Sequence, residues 1–172
     1  MWINGAFGAG KTSVARRLAR VLPARLYDPE LVGIALHRIT PSRRRAADFQ
    51  DFRLWRAVTV RAVDIASRHG AVVVPMTVVD ADIRAEVFGG LAGRGVDVVE
   101  FWLSASEATL AQRLTARGDA HGSWAHAQIE RCLRFEASRP DLRVMDAEQC
   151  VEDICGHVVD TLASMGCGSF DP

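Results

Sequence analysis

The stretch "NGAFGAGKT", residues 4–12, decides how the rest of the chain is read. It fits the pattern G-x-x-x-x-G-K-[ST] from Gly5 to Thr12, and it lies between a short apolar segment and an amphipathic one. Glycines in such a loop let successive backbone N–H groups converge on a phosphate, and the following helix adds the positive end of its dipole. The stretch therefore predicts a strand, a phosphate-binding loop (P-loop) and a helix, in that order.

Lys11 is the only lysine in the chain, and the other 20 basic residues are arginines. A compact ammonium ion fits between two phosphates better than the planar fork of an arginine. We expect Lys11 to contact the outer phosphates of ATP and the Thr12 hydroxyl to hold Mg²⁺. The alternative is a chance match in a chain rich in Gly and Ala. The predicted nucleotide-binding residues of the loop are Gly5, Ala6, Phe7, Gly8, Ala9, Gly10, Lys11, Thr12 and Ser13.

Length and composition restrict the class of protein. A chain of 172 residues that is 49% hydrophobic can bury one core, so we expect a single domain over residues 1–172. A formal net charge of zero argues against nucleic acid as a partner. The first residues lack the basic and apolar regions of a signal peptide, and no apolar run reaches membrane-spanning length, so we expect a cytoplasmic protein without membrane association. We also expect a monomer or a homodimer. Four cysteines without a CxxC pair indicate reduced thiols.

Short apolar segments alternate with amphipathic ones along the chain. Strands are predicted at residues 1–4, 24–28, 71–75, 96–103 and 142–146. Helices are predicted at residues 11–22, 30–39, 51–70, 82–95, 107–117 and 124–137, with a last one from Val151. This alternation predicts an α/β fold of the three-layer P-loop NTPase type, with a five-stranded parallel sheet and helices on both faces.

Three local patterns give finer expectations. The long helix that ends near Gly70 should bury the stripe formed by Leu54, Val58, Ala62 and Ile65. The segment Ser104–Glu107 has the form of a capping box for the helix that follows. Residues 165–172 should form a disordered tail.

The class of P-loop protein is restricted by what the chain lacks. A single lysine excludes the Asn-Lys-x-Asp motif of GTPases. The strand "AVVVPMT" is followed by no carboxylate until Asp80, which argues against an ATPase that activates water. What remains is a small kinase. The segment "LSASEATLAQRLTARGD" resembles the part of nucleoside monophosphate kinases and shikimate-kinase-like enzymes that leads into a short lid, here about residues 117–128.

Lid arginines in such enzymes neutralise charge on the transferred phosphoryl group. Arg113 and Arg117 are four residues apart and share a helix face, and Arg131 lies beyond the lid turn. We expect Arg113 to contact the nucleotide and Arg117 and Arg131 to act in catalysis together with Lys11. The alternative is that these are solvated arginines of an arginine-rich chain.

The acceptor side is predicted at the carboxyl ends of the second and third strands, on the same sheet edge as the P-loop. Asp28 could orient or deprotonate a hydroxyl there, or it could merely cap the next helix. The segment of about residues 40–60 is rich in arginine and aromatic residues and could close over an acceptor, or it could be a surface loop. The predicted acceptor contacts are Arg44, Phe49, Trp55, Met76 and Thr77.

Several blocks of the sequence resemble the tunicamycin-resistance proteins, which are small ATP-binding proteins that protect bacteria from a nucleoside antibiotic. The blocks are "WINGAFGAGKT", "LYDPELVG", "DFQDFRLWRA", "VVVPMTVV" and "SWAHAQIERC", within residues 1–135. The resemblance implies a nucleoside monophosphate kinase-like fold with chloramphenicol phosphotransferase as a structural relative. It also implies that ATP binds at residues 5–12 and that Asp28 stands in the place of the acceptor-side carboxylate.

Three functions agree with these observations. The first is an ATP-dependent phosphotransferase that acts on a hydroxyl of a nucleoside-like, tunicamycin-like antibiotic. The second is a protein that uses ATP to close on the antibiotic and sequesters it without phosphoryl transfer. The third is a kinase of a small metabolite.

Overall fold

Five parallel strands form one sheet in the order β2-β3-β1-β4-β5. The structure is a computed structural model, and it describes residues 1–40 and 48–166. The strands are β1 (Trp2–Gly5), β2 (Ala24–Leu26), β3 (Ala71–Pro75), β4 (Glu100–Ser104) and β5 (Val144–Asp146). The prediction of an α/β fold with a five-stranded parallel sheet is confirmed.

Eight α-helices and a short 3₁₀ helix at Phe49–Asp51 lie in the described part of the chain. The α-helices are α1 (Lys11–Val21), α2 (Pro29–Ile39), α3 (Arg53–Ser67), α4 (Ala81–Ala92), α5 (Glu107–Ala116), α6 (Trp124–Ala127), α7 (Ile129–Ala137) and α8 (Val151–Ser164). Among the helices of residues 1–40 and 48–166, none has the length and apolar character needed to cross a membrane.

Helices cover both faces of the sheet because successive strand residues point to opposite sides. On β1, Trp2 packs into a cluster with residues of α3 and α4, whereas Ile3 packs into a cluster with residues of α1, α5, α7 and α8. Strand β1 pairs with β3 on one side and with β4 on the other. The loop after β1 therefore leaves the centre of the sheet at its carboxyl edge, where ligands of open parallel sheets bind.

The prediction that α3 buries a stripe of residues from Leu54 to Ile65 is wrong. Leu54 is 59% exposed, and Val58 and Ile65 are exposed as well. The buried face carries Trp55 and Val63 instead. Because α3 has apolar residues on both sides, periodicity alone does not choose between them, and packing against α4 and the sheet decides the orientation.

The predicted capping box at Ser104 is also wrong, because Ser104 is the last residue of β4. The N-cap of α5 is Ser106, whose Oγ accepts a hydrogen bond from the Thr109 N–H at 3.3 Å. The Glu148 carboxylate accepts from the Ser106 N–H at 3.0 Å and from the Ser106 hydroxyl at 2.7 Å. These bonds lower the pKa of Glu148 to about 2.

The C-terminal end of the described chain is still helical in character. Helix α8 ends at Ser164, and the Met165 N–H donates to the Thr161 carbonyl at 3.2 Å. Of the tail that was expected to be disordered, residues 167–172 lie outside the described residues.

Candidate functional site

The loop between β1 and α1 needs glycine at two positions. Gly8 and Gly10 have φ values of 87° and 90°, in the left-handed region that favours glycine. A Cβ atom on Gly8 would lie 2.9 Å from the Leu110 carbonyl oxygen, so the loop also packs too closely on α5 for a side chain. The loop can therefore curl only because these residues lack side chains.

The start of α1 is open to an anion. Its N-cap is Gly10, which has no side chain to accept hydrogen bonds from the first turn, and that turn contains no acidic residue. The first N–H groups of a helix have no partner within the helix, and they form the positive end of its dipole. The loop and helix start therefore fit a phosphate group.

Lys11 is half-buried beside the loop. Its Nζ donates a hydrogen bond to the Ala6 carbonyl at 2.8 Å and lies 5.3 Å from the centroid of the Phe7 ring. Burial lowers the pKa of Lys11 to about 8, against smaller raising effects of Cys132 and Glu30. The ammonium ion is thus held at the loop, but it is easier to deprotonate than an exposed lysine.

A cavity of about 400 Å³ opens over the loop. It brings together eleven residues that the sequence predicted: Phe7, Gly8, Gly10, Lys11, Thr12, Ser13, Phe49, Met76, Thr77, Arg113 and Arg117. Gly5, Ala6 and Ala9 are buried beside it and belong to the wall of the loop. Five further lining residues were not predicted: Arg16, Glu30, Gln50, Pro75 and Trp124.

Trp124 joins the loop to the lid region. It is the first residue of α6, is 45% exposed, and its ring meets the Phe7 ring edge-on at 5.1 Å between centroids. Both rings also line a second, adjoining cavity of about 220 Å³. The two cavities therefore share an aromatic wall.

The three arginines predicted in and near the lid do not all line the same cavity. Arg113 and Arg117 line the P-loop cavity. The Arg117 Nε donates to Asp119 at 2.7 Å, and the arginine side chain is 59% exposed. Arg131 lines the second cavity instead, where it donates to Asp80 at 3.3 Å.

Asp28 caps a helix, which is the second of the two roles that the sequence allowed for it. Its Oδ1 accepts a hydrogen bond from the Glu30 N–H at 3.0 Å, and it is the N-cap of α2. Asp28 does not line the P-loop cavity, whereas Glu30, two residues further along, does. Glu30 was not predicted from the sequence, although it lies in the first turn of the helix that Asp28 caps.

The prediction that Trp55 contacts the acceptor is wrong. Trp55 is fully buried, and its Nε1 donates to the Pro29 carbonyl at 2.9 Å, which fixes α3 against α2. Phe49 does line the cavity, and its ring lies against Gly33, where an added Cβ would be 2.3 Å from Cδ2. The predicted contact Arg44 lies outside the described residues.

Met76 and Thr77 follow β3 and line the P-loop cavity, and Thr77 lines the second cavity as well. Met76 is 4% exposed, and the Thr77 hydroxyl donates to the Gly5 carbonyl at 2.7 Å. The Thr77 hydroxyl thus ties the end of β3 to the start of the loop.

A buried asparagine, which the sequence reasoning did not single out, fixes the start of the P-loop. Asn4 is fully buried, and its Nδ2 donates to the Val78 carbonyl at 2.9 Å and to Glu100 at 2.8 Å. Its Oδ1 accepts from the N–H groups of Gly5 and Val78. Glu100 in turn forms a two-bonded ion pair with Arg84. A buried network of this kind is stable only when each polar group has a partner.

Comparisons with known proteins agree with this geometry. The chain matches the AAA domain family over residues 1–142. A tunicamycin resistance protein from Deinococcus radiodurans is 30% identical, with a TM-score of 0.72 over 92% of this chain and 94% of that chain. No curated protein sequence matches the chain.

Two kinases share the fold at lower identity. A gluconokinase from Sinorhizobium meliloti is 22% identical, with a TM-score of 0.68 over 95% of this chain and 91% of its own. A deoxyadenosine kinase from M. mycoides is 15% identical, with a TM-score of 0.60 over 95% and 98%. The chain is therefore a nucleotide-binding protein with a kinase-like fold, and it belongs to the tunicamycin-resistance family of P-loop, AAA-type domains.

Proposed function

We propose that the protein is an ATP-dependent phosphotransferase that acts on a hydroxyl group of a nucleoside-type antibiotic similar to tunicamycin. The observation that carries the proposal is the P-loop cavity, in which Lys11, Thr12, Arg113 and Arg117 line one space. A phosphoryl-transfer site needs these elements together: a phosphate-binding loop, a metal ligand and cations around the transferred group. The similarity to the D. radiodurans protein supports the choice of antibiotic.

ATP and Mg²⁺ fit the residues that are present. Loop residues 5–13 would hold the phosphates of ATP, and the Thr12 hydroxyl would hold Mg²⁺. When bound, Mg²⁺-ATP supplies the phosphoryl group and the metal charge that balances it. Lys11 binds and orients the outer phosphates, and Arg113 and Arg117 neutralise charge that develops on the transferred group.

The acceptor would bind where the two cavities adjoin. Phe49, Met76 and Thr77 line the P-loop cavity, and Thr77 lines the second cavity as well. This wall is mostly apolar and carries one hydroxyl group, which suits a small organic molecule with few polar contacts. Arg131 lies in the second cavity and would act on the acceptor rather than on the nucleotide.

Drug-dependent release of ADP tests this function. Purified protein with ATP and Mg²⁺ should release ADP quickly only after tunicamycin is added. The Lys11→Ala variant should release none, because it lacks the cation at the outer phosphates. Equal ADP release with and without the drug would contradict the proposal.

A second function, sequestration of the drug without phosphoryl transfer, is favoured by one observation. The Asp28 carboxylate caps α2 and does not line the cavity, so it is not placed as a base for an acceptor hydroxyl. The similarity to the gluconokinase shows the fold alone, and it gives no corresponding support to a metabolite kinase.

The variant Asp28→Asn tests whether the Asp28 carboxylate takes part in protection. Asparagine caps a helix about as well as aspartate, so this change removes the charge and keeps the start of α2. If Asp28 serves the acceptor in a transfer reaction, bacteria that carry the variant lose protection against tunicamycin. If the protein only sequesters the drug, the variant protects nearly as well as the native protein, whereas Lys11→Ala protects in neither case.

A further inference from the structure

The P-loop cavity contains a single carboxylate within residues 1–40 and 48–166, and it belongs to Glu30. Asp48, Asp51 and Asp80 line the second cavity, and Asp80 is already bonded to Arg131. The segment 41–47, outside the described residues, contains no Asp or Glu in its sequence. Glu30 is therefore the acidic side chain that the described residues supply to the space over the P-loop.

The carboxylate of Glu30 is not engaged elsewhere. In the described part of the chain this carboxylate forms no hydrogen bond and no ion pair, and the Glu30 backbone N–H donates to Asp28. Glu30 also raises the pKa of Lys11, more than Asp28 does, so its charge is felt at the ammonium group. A carboxylate that is accessible and unpaired beside a lysine is available to a cation.

A nucleotide-bound Mg²⁺ needs such a group. Mg²⁺ prefers oxygen ligands, and in ATP-using proteins it is held by one or two carboxylates together with a hydroxyl, phosphates and water. Strand β3 ends at Pro75 and is followed by Met76 and Thr77, so the end of this strand supplies no carboxylate. Thr12 lines the same cavity as Glu30 and supplies the hydroxyl.

We propose that Glu30 completes the Mg²⁺ site that Thr12 begins, directly or through a bound water. Asp28 then has a positioning role, because its hydrogen bond to the Glu30 N–H fixes the backbone that carries this carboxylate. The inference rests on the proposed use of Mg²⁺-ATP and adds to it the acidic residue that serves the metal. It does not depend on which molecule accepts the phosphoryl group.

The test measures nucleotide affinity without an acceptor. A non-hydrolysable ATP analogue is titrated by calorimetry into native protein and into Glu30→Gln, with Mg²⁺ and with EDTA. Native protein should bind the analogue more tightly with Mg²⁺. In Glu30→Gln this gain should fall by about tenfold or more, which is the usual range for loss of a group that supports a metal site. The affinity in EDTA should stay equal or rise, because a negative charge near the phosphates has been removed.

Glu107→Gln is the matched control. Glu107 is also an acidic residue in the first turn of a helix, α5, so its replacement removes a similar favourable interaction with a helix dipole. Glu107 does not line the P-loop cavity. The increase in affinity for the ATP analogue that Mg²⁺ causes should be the same in Glu107→Gln as in native protein. Glu30→Asp keeps the charge on a shorter side chain and should retain part of the gain, which separates loss of charge from faulty folding.

Mn²⁺ in place of Mg²⁺ gives a direct readout by electron paramagnetic resonance. With the ATP analogue present, Glu30→Gln should leave more Mn²⁺ free than native protein does. An unchanged Mg²⁺ gain in Glu30→Gln, or the absence of any gain in native protein, would overturn the proposal. A failure to phosphorylate tunicamycin would leave these measurements unaffected, so the two proposals can fail separately.

Discussion

The pKa of Lys11 predicts how nucleotide affinity depends on pH. Burial lowers this pKa from 10.5 to about 8 in the free protein. The protonated form binds the phosphates, and bound phosphate raises the pKa, so affinity is complete well below pH 8 and falls as the pH rises through and above this value. Between pH 7.5 and pH 9.5 the protonated fraction falls from about three quarters to about 3%. The affinity for ATP should therefore fall roughly 25-fold over this range.

Calorimetric titration of ATP at pH 7.5, 8.5 and 9.5 measures this fall, and ATP itself is fully ionised across the range. The matched variant is Lys11→Arg, whose guanidinium remains charged throughout. It should bind more weakly, because the planar group fits the loop badly, but its affinity should not change with pH. A lysine with the ordinary pKa of 10.5 would lose only about a tenth of its charge by pH 9.5, so an almost flat profile for native protein would refute the argument.

Three further changes test the structure around the loop. Asn4→Ala leaves the buried Glu100 with fewer partners and should lower the free energy of unfolding by about 2–4 kcal/mol in urea titrations. Gly33→Ala forces the Phe49 ring from the cavity wall and should weaken tunicamycin binding but not ATP binding in calorimetry, whereas the control Gly89→Ala has open space and should change neither. Trp124 is the exposed one of the four tryptophans, so ATP should change the intrinsic fluorescence of native protein and leave that of Trp124→Phe unchanged.

Features that depend on local sequence could be predicted. The P-loop needs glycine at Gly8 and Gly10 and a lysine at position 11, and these requirements are written in consecutive residues. The strand β3 could be found because five consecutive residues, Ala71–Pro75, form a continuous apolar run of the kind that parallel sheets bury. The alternation of such runs with helices then led to the parallel sheet that the structure contains.

Features that depend on the direction of a side chain could not be predicted from the sequence. Trp55 and Phe49 are both aromatic residues of one segment, but Trp55 is buried where α3 packs against α2, whereas Phe49, in the 3₁₀ helix, lines the cavity. Asp28 and Glu30 are two residues apart, but the first bonds to the backbone of the second and only the second lines the cavity. Periodicity fixes neither choice, because the first depends on contacts between elements distant in the chain and the second on which carboxylate caps α2.

The mass of the drug after incubation with the protein tests the central claim most directly. Tunicamycin is incubated with native protein, ATP and Mg²⁺, and with Lys11→Ala as the control, and is then measured by mass spectrometry. Native protein should yield tunicamycin heavier by one phosphoryl group, and the variant should yield unchanged drug. Unchanged drug from native protein, under conditions in which the protein protects bacteria, would contradict phosphoryl transfer and favour sequestration.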